Sequence, residues 1–284
     1  MATDRHGALS RRQLLQFVTV AIAGARLTPL AAARRLSGTA INHVSYASTD
    51  YRRTRDFYVD LLGFQVSEED DKQLYLWAGD ALISAKNTPA IQAPFIDHFG
   101  LTVDPWDLSS VDAILRERGL PARVSRNDPH DTQGKSAFTK DVNGFNLQLG
   151  ARDLETRPAP AAARAPLKAV GLNHISYMCA DYRKTRDFYA DLLGVSVSHD
   201  DGTQAYLWFG DAFMVVKNGG GGGAPAVVDH VAWTLANWDV RRVSDTLKAH
   251  GLDARPDAAG NSILTTDVNA YPLQLCSRDL VNKP

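Results

Sequence analysis

Ile41-Asn42-His43-Val44-Ser45-Tyr46 and Leu172-Asn173-His174-Ile175-Ser176-Tyr177 are one phrase written twice in the same chain. The residues after each phrase repeat as well. Asp50-Tyr51-Arg52-Arg53-Thr54-Arg55-Asp56-Phe57-Tyr58 returns as Asp181-Tyr182-Arg183-Lys184-Thr185-Arg186-Asp187-Phe188-Tyr189, and Asp60-Leu61-Leu62-Gly63 returns as Asp191-Leu192-Leu193-Gly194. The offset is 131 residues from Asp50 to Asp181, 132 from His98 to His230 and 126 from Gln148 to Gln274. The order holds while the loops change length, which marks a duplicated domain.

Each copy reads as two similar halves. In the first, Ile41 to Ala47 alternates like a strand. Thr54, Phe57, Tyr58, Leu61 and Leu62 then form one apolar helical stripe, which Asp50 can cap and Gly63 can end. Strand-like runs come next at Phe64–Ser67, Leu74–Trp77 and Ala81–Ala85, the last two parted by Gly79-Asp80. The order then recurs: strand Phe95–Val103, helix Leu108–Arg118, and strands Ala122–Ser125, Ser136–Thr139 and Phe145–Leu149, with a hairpin turn at Asn143-Gly144. The second copy shows the same order from Leu172 to Leu275. The fold class is therefore α+β, with a βαβββ unit used four times.

The bulk composition narrows the function classes. With 44% hydrophobic and 22% charged residues among 284, the chain has the make-up of a soluble globular protein with room for two domains. Its net charge of −1 offers no basic surplus for nucleic acid. Two cysteines, Cys179 and Cys276, are too few for a thiolate cluster. Strand parity sends them to opposite faces of their sheet, which argues against a disulfide.

The first residues read as a leader. Ser10-Arg11-Arg12-Gln13-Leu14-Leu15 opens an apolar stretch that Arg26 cuts short, and Ala31-Ala32-Ala33 comes after it. A positive region, a short apolar region and small residues are the layout of a secretory signal, and the paired arginines resemble the twin-arginine signal. The expectation is export, to the periplasm, with no stable membrane span after processing. The chain divides into a leader over 1–37, a first domain over 38–152, a linker over 153–167 and a second domain over 168–284. Three prolines among alanines in Arg157 to Pro166 mark the linker as semi-extended. Gly219 to Gly223 is read as a surface loop, because no Lys-Ser pair comes after it to make a phosphate cradle.

A βαβββ unit used twice per domain resembles the vicinal-oxygen-chelate superfamily, which includes glyoxalases, extradiol dioxygenases and bleomycin-resistance proteins. The motifs that carry the resemblance are Asn-His-x-x-Tyr on the first strand, Phe-Tyr-x-x-Leu-Leu-Gly on the helix after it, and Asp141 to Leu149 near the end. It covers roughly residues 38–152 and 168–280. The resemblance implies that paired units curl their strands into an open cup, with helices outside, and that the cup holds a divalent metal. Extradiol dioxygenases take ligands from the first, fifth and eighth strands. Those positions here hold His43, His98 and Gln148, and in the second copy His174, His230 and Gln274. Glyoxalases also use the fourth strand, but Leu82-Ile83-Ser84-Ala85 and Phe213-Met214-Val215-Val216 offer no carboxylate or imidazole.

Alternation of side chains supports the same residues independently. Phe145, Leu147 and Leu149 form an apolar face opposite Gln148. Phe99 and Leu101 oppose His98, and Leu273 and Leu275 oppose Gln274. Two departures from the family qualify the reading. The dioxygenase triad ends in a carboxylate, the set that suits ferrous iron, whereas glutamine brings an oxygen without charge. The tyrosine ten residues before that ligand is Phe138 in one copy and Leu264 in the other. No acid–base residue can be transferred, and His130, in the loop Asp128-Pro129-His130-Asp131, stands as a free candidate. Thr54 and Tyr58 belong to the buried helical stripe, so they are not assigned to catalysis. Trp77 and Trp208 are expected in the cup wall.

The leading expectation is an exported metal-dependent enzyme acting on a small molecule with vicinal oxygens, with Fe(II) as the metal and Mn(II) or Zn(II) as alternatives. A metal-free binding protein of the bleomycin-resistance kind and a structural partner in an envelope complex compete with it. A homodimer stays open, as do the catalytic and substrate-binding residues.

Overall fold

The computed structural model describes residues 34–124, 134–159, 164–219, 224–281 and 283. The chain divides into two units, Met1–Arg34 and Arg35–Pro284, and the second holds both copies. The expected leader falls almost wholly outside the described residues, and so does His130.

The first copy runs β1 (Gly38–Ser48), α1 (Tyr51–Leu62), β2 (Gln65–Glu69), β3 (Gln73–Ala78), β4 (Ala81–Asn87), β5 (Phe95–Val103), α2 (Leu108–Glu117), β6 (Arg123–Val124), β7 (Ser136–Lys140) and β8 (Asn146–Gly150). The second repeats it as β9 (Ala169–Cys179), α3 (Tyr182–Leu193), β10 (Ser196–Ser198), β11 (Gln204–Phe209), β12 (Ala212–Asn218), β13 (Val227–Leu235), α4 (Val240–Ala249), β14 (Arg255–Pro256), β15 (Ser262–Thr266) and β16 (Pro272–Cys276). Each copy makes its own eight-stranded sheet, in the order β2-β3-β4-β1-β5-β8-β7-β6 and its counterpart β10-β11-β12-β9-β13-β16-β15-β14.

The first strands of the two half-copies meet in the middle of each sheet. β1 pairs antiparallel with β5 and parallel with β4, while β5 pairs parallel with β8. This topology lays the three candidate donor strands side by side. Local chemistry sets the helices that return between them. The Asp50 carboxylate accepts from the N–H groups of Arg52 and Arg53, and Gly63, at φ 70°, ends α1 in the left-handed conformation. The buried stripe of α1 is Tyr51, Thr54, Tyr58, Leu61 and Leu62, with Phe57 only half-buried at its edge.

Some boundaries shift from the sequence reading. Phe64 precedes β2 rather than opening it. Its ring is buried and lies 4.8 Å, edge-on, from Trp233 of the other copy. A tertiary contact overrides local strand propensity there. Asn143-Gly144 does turn the chain between β7 and β8, inside a loop that the Asp141 carboxylate closes by accepting from the N–H groups of Asn143 and Phe145.

The copies form one body. A single buried apolar cluster runs through both, from Leu36 and Phe99 to Trp233 and Leu275. Leu36 N–H donates to Leu192 C=O at 2.8 Å, and Leu167 N–H donates reciprocally to Leu61 C=O at 3.2 Å. Each Asp-Val-Asn turn reaches into its neighbour copy. Tyr46 Oη donates to Asp267 at 2.6 Å, and Asn269 Nδ2 donates to Thr54 Oγ1 at 2.9 Å. The mirror contacts are Tyr177 Oη to Asp141 at 2.5 Å and Asn143 Nδ2 to Thr185 Oγ1 at 3.0 Å. Both carboxylates are buried, so these charge-assisted bonds form away from water, where leaving one unmade is costly.

Candidate metal centre

In the first sheet the register makes a row of His43 on β1, Gly100 on β5 and Gln148 on β8, with His98 two residues along the same face. Glycine in the middle of this row is a spatial requirement. A Cβ at position 100 would lie 2.3 Å from Cε1 of His43, so the imidazole occupies the space that a side chain would take. The ring thereby reaches His98, with the two Nε2 atoms 3.3 Å apart, while His98 Nε2 lies 3.2 Å from Gln148 Oε1. The second sheet repeats the arrangement, with His174 Nε2 and His230 Nε2 3.2 Å apart and the Gln274 side chain in contact with His174. All six residues singled out from the sequence thus converge, three in each cup.

The other ring nitrogens decide what converges. His98 Nδ1 lies 2.8 Å from the Asp97 carboxylate, which can only accept, so Nδ1 carries the proton. His230 Nδ1 faces Asp229 at 3.3 Å. His174 Nδ1 lies 2.8 Å from Oδ1 of Asn173, whose amide is oriented by donation from Nδ2 to Thr234, and His43 Nδ1 meets Asn42 Oδ1 at 2.7 Å. With the protons on Nδ1, both Nε2 atoms present lone pairs, and the glutamine oxygen adds another. Burial, reinforced by the neighbouring imidazole, pushes both His43 and His174 down to about 3, so neither supplies a bridging proton at neutral pH.

In the first cup His43 Nε2 and Gln148 Oε1 each stand a little over 3 Å from His98 Nε2. That spacing fits a shared cation, because ligand atoms about 2.1 Å from a divalent metal are about 3 Å from one another. Among the described residues no group of three or more His, Cys, Asp or Glu side chains is placed to hold a metal ion. Each donor set here is two imidazoles and an amide.

Sequence reasoning missed the outer partners. Asp97 also receives an ion pair from Lys86, and Asp229 receives one from Lys217 at 2.9 Å. Burial raises the Asp97 carboxyl, but the hydrogen bonds from His98 and Lys86 outweigh it and hold that group well below the usual carboxylate range. Asp229 behaves alike, with His230 and Lys217 as donors. The signal was present in the chain: Asn-His twice and Asp-His twice, at matching positions. The cup wall holds the expected tryptophans. Trp77 packs with Tyr75 and Leu82, and Trp208 with Phe213 and Val215, each indole N–H donating to a serine of the adjoining edge strand. Both cysteine thiols are free and buried, in agreement with the expectation of no disulfide, and burial pushes Cys276 up to about 12.

Known proteins share this architecture. Residues 40–149 match the family model described as Glyoxalase/Bleomycin resistance protein/Dioxygenase superfamily. A homoprotocatechuate 2,3-dioxygenase from Arthrobacter globiformis superposes with a TM-score of 0.69 at 19% identity, over 86% of this chain and 80% of that one. The chain carries the two-domain vicinal-oxygen-chelate fold. The enzyme of the same name from Brevibacterium fuscum, in its complex with 3,4-dihydroxyphenylacetate, superposes on this fold with a TM-score of 0.68 at 19% identity, over 86% of this chain and 81% of that one. Metallothiol transferase FosB of Staphylococcus epidermidis is 27% identical over 121 residues, which is 41% of this chain and 86% of the relative. The uncharacterized protein YaeR of Escherichia coli is 26% identical over 123 residues, 38% of this chain and 93% of the relative. These relatives place the vicinal-oxygen-chelate fold beside enzymes of different chemistry, so the fold does not select a reaction.

Proposed function

We propose that the chain is an exported, metal-dependent enzyme of the glyoxalase and extradiol-dioxygenase kind, acting on a small molecule with vicinal oxygens. The observation that carries this reading is the convergence, in each cup, of two imidazole Nε2 atoms and a glutamine side chain. His43, His98 and Gln148, with His174, His230 and Gln274, would hold a divalent ion, Fe(II) first and Mn(II) or Zn(II) as alternatives. Such an ion supplies Lewis acidity toward a substrate oxygen and leaves open positions for it. The residues around it set the charge. Lys86 balances Asp97 and Lys217 balances Asp229, and the glutamines bring none, so the charge of the ion would be met by the substrate. That balance favours an oxyanion, such as a catecholate or the enolate of a hydroxy-ketone. Asp97 and Asp229 keep the proton on Nδ1 of the histidine that comes after each.

The mature protein, purified without metal-affinity resin, should contain at least about one equivalent of iron, manganese or zinc per chain by elemental analysis, and the His98→Ala/His230→Ala variant should contain none. Absence of metal after anaerobic reconstitution with ferrous iron would overturn the reading. It would favour the second one, a metal-free small-molecule binding protein. That alternative draws support from the uncharged third donor and from Phe138, whose ring lies edge-on 5.5 Å from His98 where the dioxygenase pattern has a tyrosine. Export is tested separately. A folded reporter behind residues 1–37 should reach the periplasm and fail to do so with Arg11→Lys and Arg12→Lys.

A further inference from the structure

We propose that the groove between α1 and the end of α4 binds a monoalkylguanidinium group, carried by an arginine side chain or a small guanidine. The groove has a volume of about 550 Å³, within the range of small-ligand sites, and lies where the two copies meet. Phe57, Leu61, Leu252 and Val268 supply apolar surface, and Asp60 and His250 supply polar groups.

The duplication shows what fits. Asp60 corresponds to Asp191, and His250 corresponds to Arg118. At the equivalent place, Nη1 of Arg118 donates to the Asp191 carboxylate at 2.5 Å and Nη2 to the Asp191 C=O at 3.3 Å. Arg35 reaches the same carboxylate at 3.4 Å. Asp191 therefore holds two guanidinium groups from its own chain. Asp60 holds none among the described residues. The counterpart of Arg35 is Pro166, and His250 turns away, its Nδ1 on the C=O of Thr246 at 2.8 Å. The remaining charges match on the two sides: Asp50, Arg52, Arg53 and Asp56 correspond to Asp181, Arg183, Lys184 and Asp187. Arg52 faces Asp71, and Asp50 caps α1. What separates the two places is the guanidinium pairing, made twice at Asp191 and not at all at Asp60 among the described residues. A carboxylate beside an apolar trough suits a guanidinium on an alkyl stem, because the fork pairs with the carboxylate while the methylenes lie on apolar surface.

The test is a titration of the full chain with butylguanidinium, monitored by amide chemical shifts. Saturable shifts around Asp60 and His250 are expected, with a dissociation constant on the order of 1 mM. Asp60→Asn should weaken binding about fivefold, the scale of an exposed charge pair. His250→Arg, which places the missing guanidinium in the groove, should abolish binding and raise the melting temperature. Asp191→Asn should leave binding unchanged. A blocked Gly-Arg-Gly peptide distinguishes the sources, since tighter binding of the peptide assigns the groove to arginine in a chain and weaker binding to a free guanidine. Absence of saturable shifts at tens of millimolar, or equal affinity in the wild type, Asp60→Asn and His250→Arg, would overturn the proposal. None of these readouts involves metal, so the groove and the metal centre stand or fall separately.

Discussion

The two cups hold the same donors on the same strands but press on them differently. In the first, Gly100 leaves the space that the His43 ring fills. In the second, Ala232 stands at that register position, opposite His174, and the His174 ring stacks on Phe213 at 4.8 Å and 25°. The first cup has Leu82 where the second has Phe213. The Nε2 separations nevertheless agree, 3.3 Å and 3.2 Å. Duplication has preserved where the lone pairs point while the support beneath each imidazole has changed. The second cup continues its stack outward, Phe213 on Tyr206 and Tyr206 on His199, a flat aromatic wall that the first does not have because Leu82 and Glu68 interrupt it.

The most severe way to break this comparison is to empty one cup at a time. His98→Ala should remove the metal of the first cup and leave that of the second, and His230→Ala should do the reverse, each read as lost equivalents by elemental analysis. Equal loss from both sites in either variant would show that the cups do not act independently. A smaller change probes the support. In the His230→Ala background, Gly100→Ala should weaken metal binding in the first cup at least about tenfold, the scale of disturbed outer partners. Adding Leu82→Phe should recover most of the loss, since it rebuilds the aromatic rest found under His174. No recovery would mean that Phe213 is not what compensates for Ala232.

The contacts between the copies are also unequal. Asp141 accepts from two tyrosine hydroxyls, Tyr177 at 2.5 Å and Tyr189 at 3.1 Å, whereas Asp267 accepts from the hydroxyl of Tyr46 alone among the described tyrosine hydroxyls. Asp141→Ala should therefore destabilise by about 3 kcal/mol and Asp267→Ala by about 2 kcal/mol in denaturant unfolding. The reverse order would indicate that the Tyr189 bond contributes nothing. Acid should act on both cups together. His43 and His174 have folded pKa values lowered to about 3 from 6.5. The unfolded chain therefore binds more protons between those limits, and this contribution is complete above pH 6.5 and declines as pH falls toward 3. Replacing both histidines by glutamine should flatten the stability of the metal-free protein over that window. The smallest effect concerns the turn. Ala270 adopts φ 65° where Gly144 has φ 78°, so Ala270→Gly should stabilise by about 1 kcal/mol.

Much of the site was legible from strand alternation. His98 and Gln148 share a face because each sits opposite an apolar row, and that arithmetic needs no partner. The ends of the strands were less legible. Phe64 leaves its strand because Trp233, 169 residues away in sequence, offers a ring to pack on. The helical stripe places Thr54 in the core. It is buried there, but its hydroxyl also accepts from Asn269 across the interface. In the sequence the Asp-Val-Asn turn shows as a hairpin signal at Asn143-Gly144 and as part of a family motif, whereas its side chains fasten one copy to the other.

Repetition and period alone determined that there are two copies, that each has two βαβββ halves, and which faces carry the histidines. These are local properties, since a strand shows its alternation wherever it lies. Only the tertiary structure decided that the donors are neighbours, that their protons sit on the far nitrogens, and that the copies share one core. The physical reason is that lone pairs, ring tilts and buried charges depend on residues brought close by folding, such as Gly100 beneath His43 and Asp141 against Tyr177, and the linear order of the chain does not contain those distances.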